Sequence, residues 1–293
     1  MTRRIAVLVN PTAGKGRGAR EGAAAATRLR EHGLVVDEMA GVDADAAREL
    51  AHAAVRDGYD ALVAAGGDGM LHVVLQAVAG TGTPLGLVPA GSGNDFARLL
   101  GIAPHDPVAA ADVVAAGHVR TVDAGRVGGT WFAGVLSSGF DSNVNERANA
   151  MRWPRGRSRY NIAILAELRV FKAVPFTLVL DGTEMSSEAM LVAVGNGSSY
   201  GGGMQVCPGA VVDDGLLEVT VLGRVGKVEF LRVFPRVYKG THVEHPAVTV
   251  HRAREVTLRA PDVVAYADGE RVQPLPVEIV CVPGSLRVLA PAG

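Results

Sequence analysis

The strongest constraint on this chain is the alternation of apolar, strand-like runs with helical segments through roughly its first 120 residues. Ile5–Val9 is a continuous apolar run ending in a Gly-rich turn, as a strand buried on both faces would be. Ala19–Glu31 is rich in Ala and Arg at helical spacing, and His32-Gly33 stops it. Leu34–Met39 reads as a second strand, Ala44–Arg56 as a helix and Ala61–Ala65 as a third strand. Met70–Val78 is then helical, Leu85–Val88 is a strand, and Asp95–Leu100 opens another helix. Such alternation predicts a parallel α/β sheet with helices on both faces.

After about Asp123 the pattern changes to short apolar segments: Trp131–Leu136, Phe176–Leu180, Ala189–Val194, Leu217–Leu222, Val256–Arg259 and Val277–Val282. Gly, Asp and Pro separate them, and Asp181-Gly182 and Asp268-Gly269 suit hairpin turns. Two helices, Tyr160–Phe171 and Lys227–Tyr238, interrupt this mostly antiparallel β region. The reading is α/β plus β, in two domains. Residues 1–124 form the first and 125–283 the second, and the last segment, 284–293, is able through Leu286–Leu289 to pair back with either domain, a return to the first included.

The 293 residues suffice for two domains that each bury a core, and 48% hydrophobic with 20% charged residues belongs to a folded chain. A formal net charge of −1 argues against a nucleic-acid partner. The first apolar run is too short for a signal-peptide core, and Gly80, Gly82, Pro84, Gly86 and Pro89 break the longest uncharged stretch. Two cysteines, Cys207 and Cys281, fit reduced buried thiols. A cytoplasmic protein is the expectation.

Three strand ends run into Gly-rich loops: Asn10-Pro11-Thr12-Ala13-Gly14, Gly66-Gly67-Asp68-Gly69 and Ala90-Gly91-Ser92-Gly93-Asn94-Asp95. In a parallel sheet all three lie at the carboxyl edge, where ligands bind. Gly lets backbone N–H groups approach phosphate oxygens, and the helix that follows adds partial positive charge. Three such loops on one edge predict a nucleotide site. Neither GxGxxG nor GxxxxGK[ST] is present, so the common dinucleotide and P-loop templates do not fit.

GGDGM at 66–70, followed by PAGSGNDFAR at 89–98, resembles the paired motifs of the diacylglycerol kinase catalytic-domain family. The resemblance extends through GFDSNVNERAN at 139–149, YGGGMQVCPGAVVDDGLLEV at 200–219 and ADGE at 267–270. It implies an ATP- and Mg²⁺-dependent lipid kinase, with diacylglycerol the leading acceptor and an ATP cleft between a nucleotide domain and a β-sandwich-like lipid domain. Asn10, Pro11, Thr12, Ala13 and Gly14 would surround ATP, together with Gly66, Gly67, Asp68, Gly69, Met70, Leu71, His72, Ser92 and Asn94. Asp68 and Asp95 would serve Mg²⁺ or its waters, with Asp123 either a third acid or a turn residue. Glu270 would be the general base, and Val211, Asp214 and Leu216 a structural Mg²⁺ site. Met70 replaces the family's usual Thr of GGDGT, and Ala40 stands where members often carry Thr, which puts phosphate positioning or affinity in question more than the reaction class.

The stretch from Arg147 through Arg152, Trp153, Arg155, Arg157 and Arg159 reads either as a loop meeting anionic headgroups at a membrane surface or as a solvated basic face. Unpaired strands of the β domain could support a homodimer. The competing readings are an NAD kinase-like phosphotransferase, which shares GGDG alone, and a nucleotide- or lipid-binding regulator with weakened catalysis.

Overall fold

The computed structural model describes residues 2–292 apart from 152–161, 164–165, 168–169 and 171. The basic residues Arg152, Arg155, Arg157 and Arg159, with Trp153 and much of the expected helix Tyr160–Phe171, lie outside the described residues.

The first half runs β1 (Arg4–Val9), α1 (Ala13–Glu31), β2 (Val35–Met39), α2 (Ala44–Arg56), β3 (Ala61–Gly66), α3 (Asp68–Val78) and β4 (Leu85–Pro89). The strands pair in parallel in the order β4-β3-β1-β2. Every residue of β3 and β4 is buried, as their uninterrupted apolar sequences require between two helical layers. α1 begins six residues before the sequence expectation of Ala19 and takes Gly14, Gly16 and Gly18 into the helix. Close packing explains Gly18: a Cβ there would lie 2.0 Å from the Asn10 carbonyl oxygen. α4 (Asp95–Leu99) and α5 (Pro107–Ala116) follow, the latter capped by Asp106, whose carboxylate accepts the Ala109 N–H at 2.9 Å.

The second half contains β5 (Val119–Val127), β6 (Thr130–Phe132), β7 (Val135–Gly139), α6 (Phe140–Ala150), β8 (Val174–Leu180), β9 (Thr183–Gly195), β10 (Leu217–Gly223) and α7 (Lys227–Val233). After two 3₁₀ turns come β11 (Val248–Ala253), β12 (Glu255–Arg259), β13 (Val264–Ala267), β14 (Glu270–Pro274) and β15 (Val277–Leu289). Both Asp-Gly pairs turn hairpins, β8–β9 and β13–β14, with all four residues at positive φ. The segment Trp131–Leu136, expected as one strand, is two. The Asp268 carboxylate takes the N–H groups of Ala133 and Gly134 and so withdraws them from the ladder.

One sheet runs through both halves in the order β14-β13-β7-β9-β8-β12-β15-β4-β3-β1-β2. β15 makes the join: it is antiparallel to β12 and β5, then parallel to β4 through Val288 and Leu85. One apolar core lies among β1–β4 and their helices, and a second lies within the antiparallel half. No helix among the described residues is long and apolar enough to cross a membrane. Both cysteines are free and buried.

Candidate active site

The three Gly-rich loops converge, and small residues permit it. A Cβ on Gly91 would lie 2.4 Å from Gly67 Cα, and one on Gly14 would lie 2.4 Å from the Ala90 carbonyl oxygen. Asn10 shapes the first loop, its Oδ1 accepting the Thr12 N–H at 3.0 Å and the Thr12 hydroxyl at 2.9 Å. Asn94, buried and at φ 58°, closes the third by exchanging side-chain hydrogen bonds with the Gly91 N–H and carbonyl. Ser92 stands exposed at that loop's tip.

Asp68 opens α3 and ties the second loop to the third: its carboxylate accepts the Asn94 N–H at 2.9 Å and the Asp95 N–H at 3.1 Å. A Cβ on Gly93 would fall 2.4 Å from Asp68 Oδ2 and 3.3 Å from Asp95 Oδ2, so only glycine fits this close to both carboxylates. Asp95 reaches the other half of the molecule, where its oxygens accept the Gly202 and Gly203 N–H groups at 2.7 and 2.6 Å. Burial raises the Asp95 pKa, and neighbouring Asp68 adds to the rise.

Asp123 is not brought to this group. Its carboxylate accepts the N–H of Gly215 at 2.7 Å and of Gly284 at 2.8 Å, pinning two turns behind β5. Asp214 lies in the first of those turns, with one oxygen accepting the Leu216 N–H at 3.1 Å and the other contacting the Arg252 guanidinium. The antiparallel pairing of β10 with β11 sets Arg252 beside this turn. The guanidinium thus takes one oxygen of the carboxylate that the resemblance gives, with Val211 and Leu216, to a structural Mg²⁺.

A cleft of about 850 Å³ opens beside the loops, between α2, α3, β6 and β14. Asn10, Pro11, Thr12, Gly69, Met70, His72 and Glu270 line it, with Arg48, His52, Trp131 and Arg271, which sequence reasoning had not singled out. Gln76 fixes one wall: its side chain donates to the Trp131 carbonyl at 2.8 Å and accepts the Trp131 N–H at 2.9 Å. Met70 is buried, its backbone N–H donating to the Gly67 carbonyl at 2.9 Å. Burial pushes the His72 imidazole down to about 4, helped by Arg48, so the ring is neutral at physiological pH. Its Nδ1 is buried without a partner, leaving a polar atom at the cleft wall for a ligand to satisfy.

Glu270 follows the β13–β14 turn, and its Oε1 lies 3.6 Å from where a Gly69 Cβ would be. Among the described residues no hydrogen bond or ion pair holds its carboxylate. Asp268, two residues earlier, fixes the hairpin by accepting the N–H groups of Ala133, Gly134 and Val135 at 2.8, 2.9 and 3.1 Å. These bonds join residues more than 130 positions apart, and only the Asp-Gly turn signal hinted at them.

Burial raises the Asp268 pKa to about 6, against the opposing pull of those three donors. A carboxyl whose folded pKa lies above its ordinary value favours folding most when protonated, and that contribution is lost as pH rises through the folded pKa. The stability supplied by Asp268 should therefore decline between about pH 4 and about pH 6. Thermal unfolding midpoints of the parent and of Asp268→Asn should converge over that window, in the parent's disfavour, and run parallel above it. A difference constant from pH 4 to pH 7 would contradict the assignment.

Sequence comparison matches residues 4–127 to the diacylglycerol kinase catalytic domain and 134–290 to the YegS C-terminal NAD kinase beta sandwich-like domain. A diacylglycerol kinase of Mycobacterium tuberculosis is 46% identical over 98% of this chain and 95% of its own length. One from Staphylococcus aureus is 30% identical over 99% of this chain and 93% of its own. The crystal structure of a Bacillus anthracis diacylglycerol kinase shares the fold, with TM-score 0.75 and 21% identity over 98% of this chain and 96% of that one. The protein is a lipid kinase, and the chain belongs to the diacylglycerol kinase catalytic-domain family.

Proposed function

We propose that the enzyme transfers the γ-phosphoryl group of ATP to the free hydroxyl of diacylglycerol, giving phosphatidic acid and ADP. The observation that carries this reading is the position of Glu270, an unengaged carboxylate in the cleft against the Gly69 loop. In the proposed reaction the lipid hydroxyl oxygen forms the new P–O bond, the bond to the β-phosphate oxygen breaks, and Glu270 receives the hydroxyl proton. Those backbone N–H groups of the three Gly-rich loops that are not already bonded within the loops are assigned to the phosphates, with the exposed Ser92 hydroxyl beside them.

Asp68, which the Gly93 backbone approaches closely without a side chain of its own, is assigned to hold a divalent cation or its waters. When bound, Mg²⁺ neutralises charge that builds on the β- and γ-phosphate oxygens. Asp95 is assigned a second role as strap, since its two backbone partners belong to the 199–203 loop. Asp123 is assigned as a positioning residue for the turns at Gly215 and Gly284. Residues 1–124 are taken as the nucleotide domain and 125–283 as the lipid domain. The parallel bridge of Val288 to β4 supports assigning 284–293 to the first.

Presenting diacylglycerol and a sphingoid base separately in mixed micelles, with γ-labelled ATP and Mg²⁺, tests the acceptor. Label in phosphatidic acid is expected, and label in the sphingoid base alone would overturn the assignment.

A further inference from the structure

We propose that α7 and the turn after it are the membrane-docking element of this enzyme, seated on a bilayer that carries anionic lipid. The proposal rests on the lipid-kinase reading, since an acceptor embedded in a bilayer must be met at its surface.

The element has two unlike apolar faces. Inward, Phe230 and Val233 are buried, and with Phe234 and Val237 they line an apolar cavity under the helix. There the Phe140 ring meets Phe230 at a tilt, 4.9 Å between centroids, and Phe230 stacks on Phe234 at 5.7 Å. Outward, Val228 is 65% exposed, Leu231 50% and Tyr238 51%. A helix packed on a globular core ordinarily turns polar residues to that side. Val228 and Leu231 are three positions apart and share one helical face, so they present a joint apolar ridge.

Charge selects the occupant. Residues 224–244 hold the cations Arg224, Lys227, Arg232, Arg236 and Lys239 against only two carboxylates, Glu229 and Glu244. Glu244 pairs with Arg236, and Glu229 lies 3.2 Å from the His245 ring, so the segment keeps an excess of cations. Among the described residues Arg232 and Lys239 have no ion-pair partner, and they flank the exposed apolar side chains. Exposed apolar residues, an exposed tyrosine and unpaired cations along one short element make the composition of an interfacial segment.

The location agrees. The cavity beneath α7 is closed on another side by Tyr200 and Met204, which bracket the glycines whose N–H groups bind Asp95. A bilayer lying on α7 would thus present its lipids one helix-thickness from the loop strapped to the phosphate cradle.

The test uses the full chain, without ATP, in co-sedimentation with phosphatidylcholine vesicles that contain or lack phosphatidylglycerol. The parent should prefer the anionic vesicles and lose that preference as salt rises. Arg232→Gln with Lys239→Gln, which touches no core residue, should weaken binding about 30-fold. Val228→Gln with Leu231→Gln should also lower it. Each variant should phosphorylate a short-chain diacylglycerol, dispersed as monomers, at the parent rate. Equal vesicle binding by parent and both variants would overturn the proposal, as would parent binding indifferent to phosphatidylglycerol. Vesicle binding that behaves as expected in a protein that phosphorylates no lipid alcohol would instead remove the kinase reading and leave the docking surface standing.

Discussion

Glu270→Gln is expected to cut lipid phosphorylation by about 10²–10⁴-fold while ATP affinity stays close to the parent's. The substitution keeps the length of the side chain and the β13–β14 turn but deletes the charge that accepts a proton. Since the carboxylate has no partner among the described residues, its loss leaves no buried group stranded, and stability should hold. A base needed only as the acceptor proton departs contributes in the transition state and not in ground-state binding of the other substrate. Turnover should therefore fall alone. Steady-state kinetics with ATP varied at saturating lipid separates the two quantities. Turnover near the parent's in Glu270→Gln would reduce Asp268-Gly269-Glu270 to a hairpin turn.

Asp68→Ala should be harsher and should act on two levels. Its carboxylate accepts two backbone N–H groups from the Asn94–Asp95 segment, and alanine leaves both donors without their partner in a part-buried position. An unsatisfied donor costs about 1–3 kcal/mol, so a measurable loss of stability is expected with the loss of turnover. Loosening the third loop also moves Asp95 and hence its strap to Gly202 and Gly203. Nucleotide binding and rate should both suffer, in contrast to Glu270→Gln. Unfolding curves and ATP titration on the same preparation check this. A folded Asp68→Ala protein with ordinary turnover would remove Asp68 from the catalytic set.

The parallel half of the fold was legible because β1, β3 and β4 follow short apolar runs that lead into glycine-bearing loops. β1, β3 and β4 fall within a residue of their expected limits. α5 escaped notice because Pro107–Ala116 is apolar on every side and shows no helical stripe. β15 read as two pieces because Pro283-Gly284-Ser285 interrupts its apolar run. The structure carries one strand through that point with a register shift, held by the Gly284 N–H on Asp123. The continuous sheet was therefore hidden: the residues that join its halves are distant in sequence.

The candidate site divides in the same way. The glycine loops announced themselves through local backbone demands, and Glu270 through a family motif. The bonds from Asp95 to Gly202 and Gly203, and from Asp268 to residues 133–135, cross more than 100 positions and leave no local pattern. Nor could sequence show Arg252 on Asp214, because that contact depends on the register of β10 against β11.

Offering both acceptors together puts the central claim to its most direct test. The protein is incubated with γ-labelled ATP, Mg²⁺, NAD and diacylglycerol in mixed micelles, and the products are partitioned between organic and aqueous phases. A lipid kinase working at this cleft should place the label in phosphatidic acid in the organic phase. Label in phosphorylated NAD, with the lipid unlabelled, would contradict it.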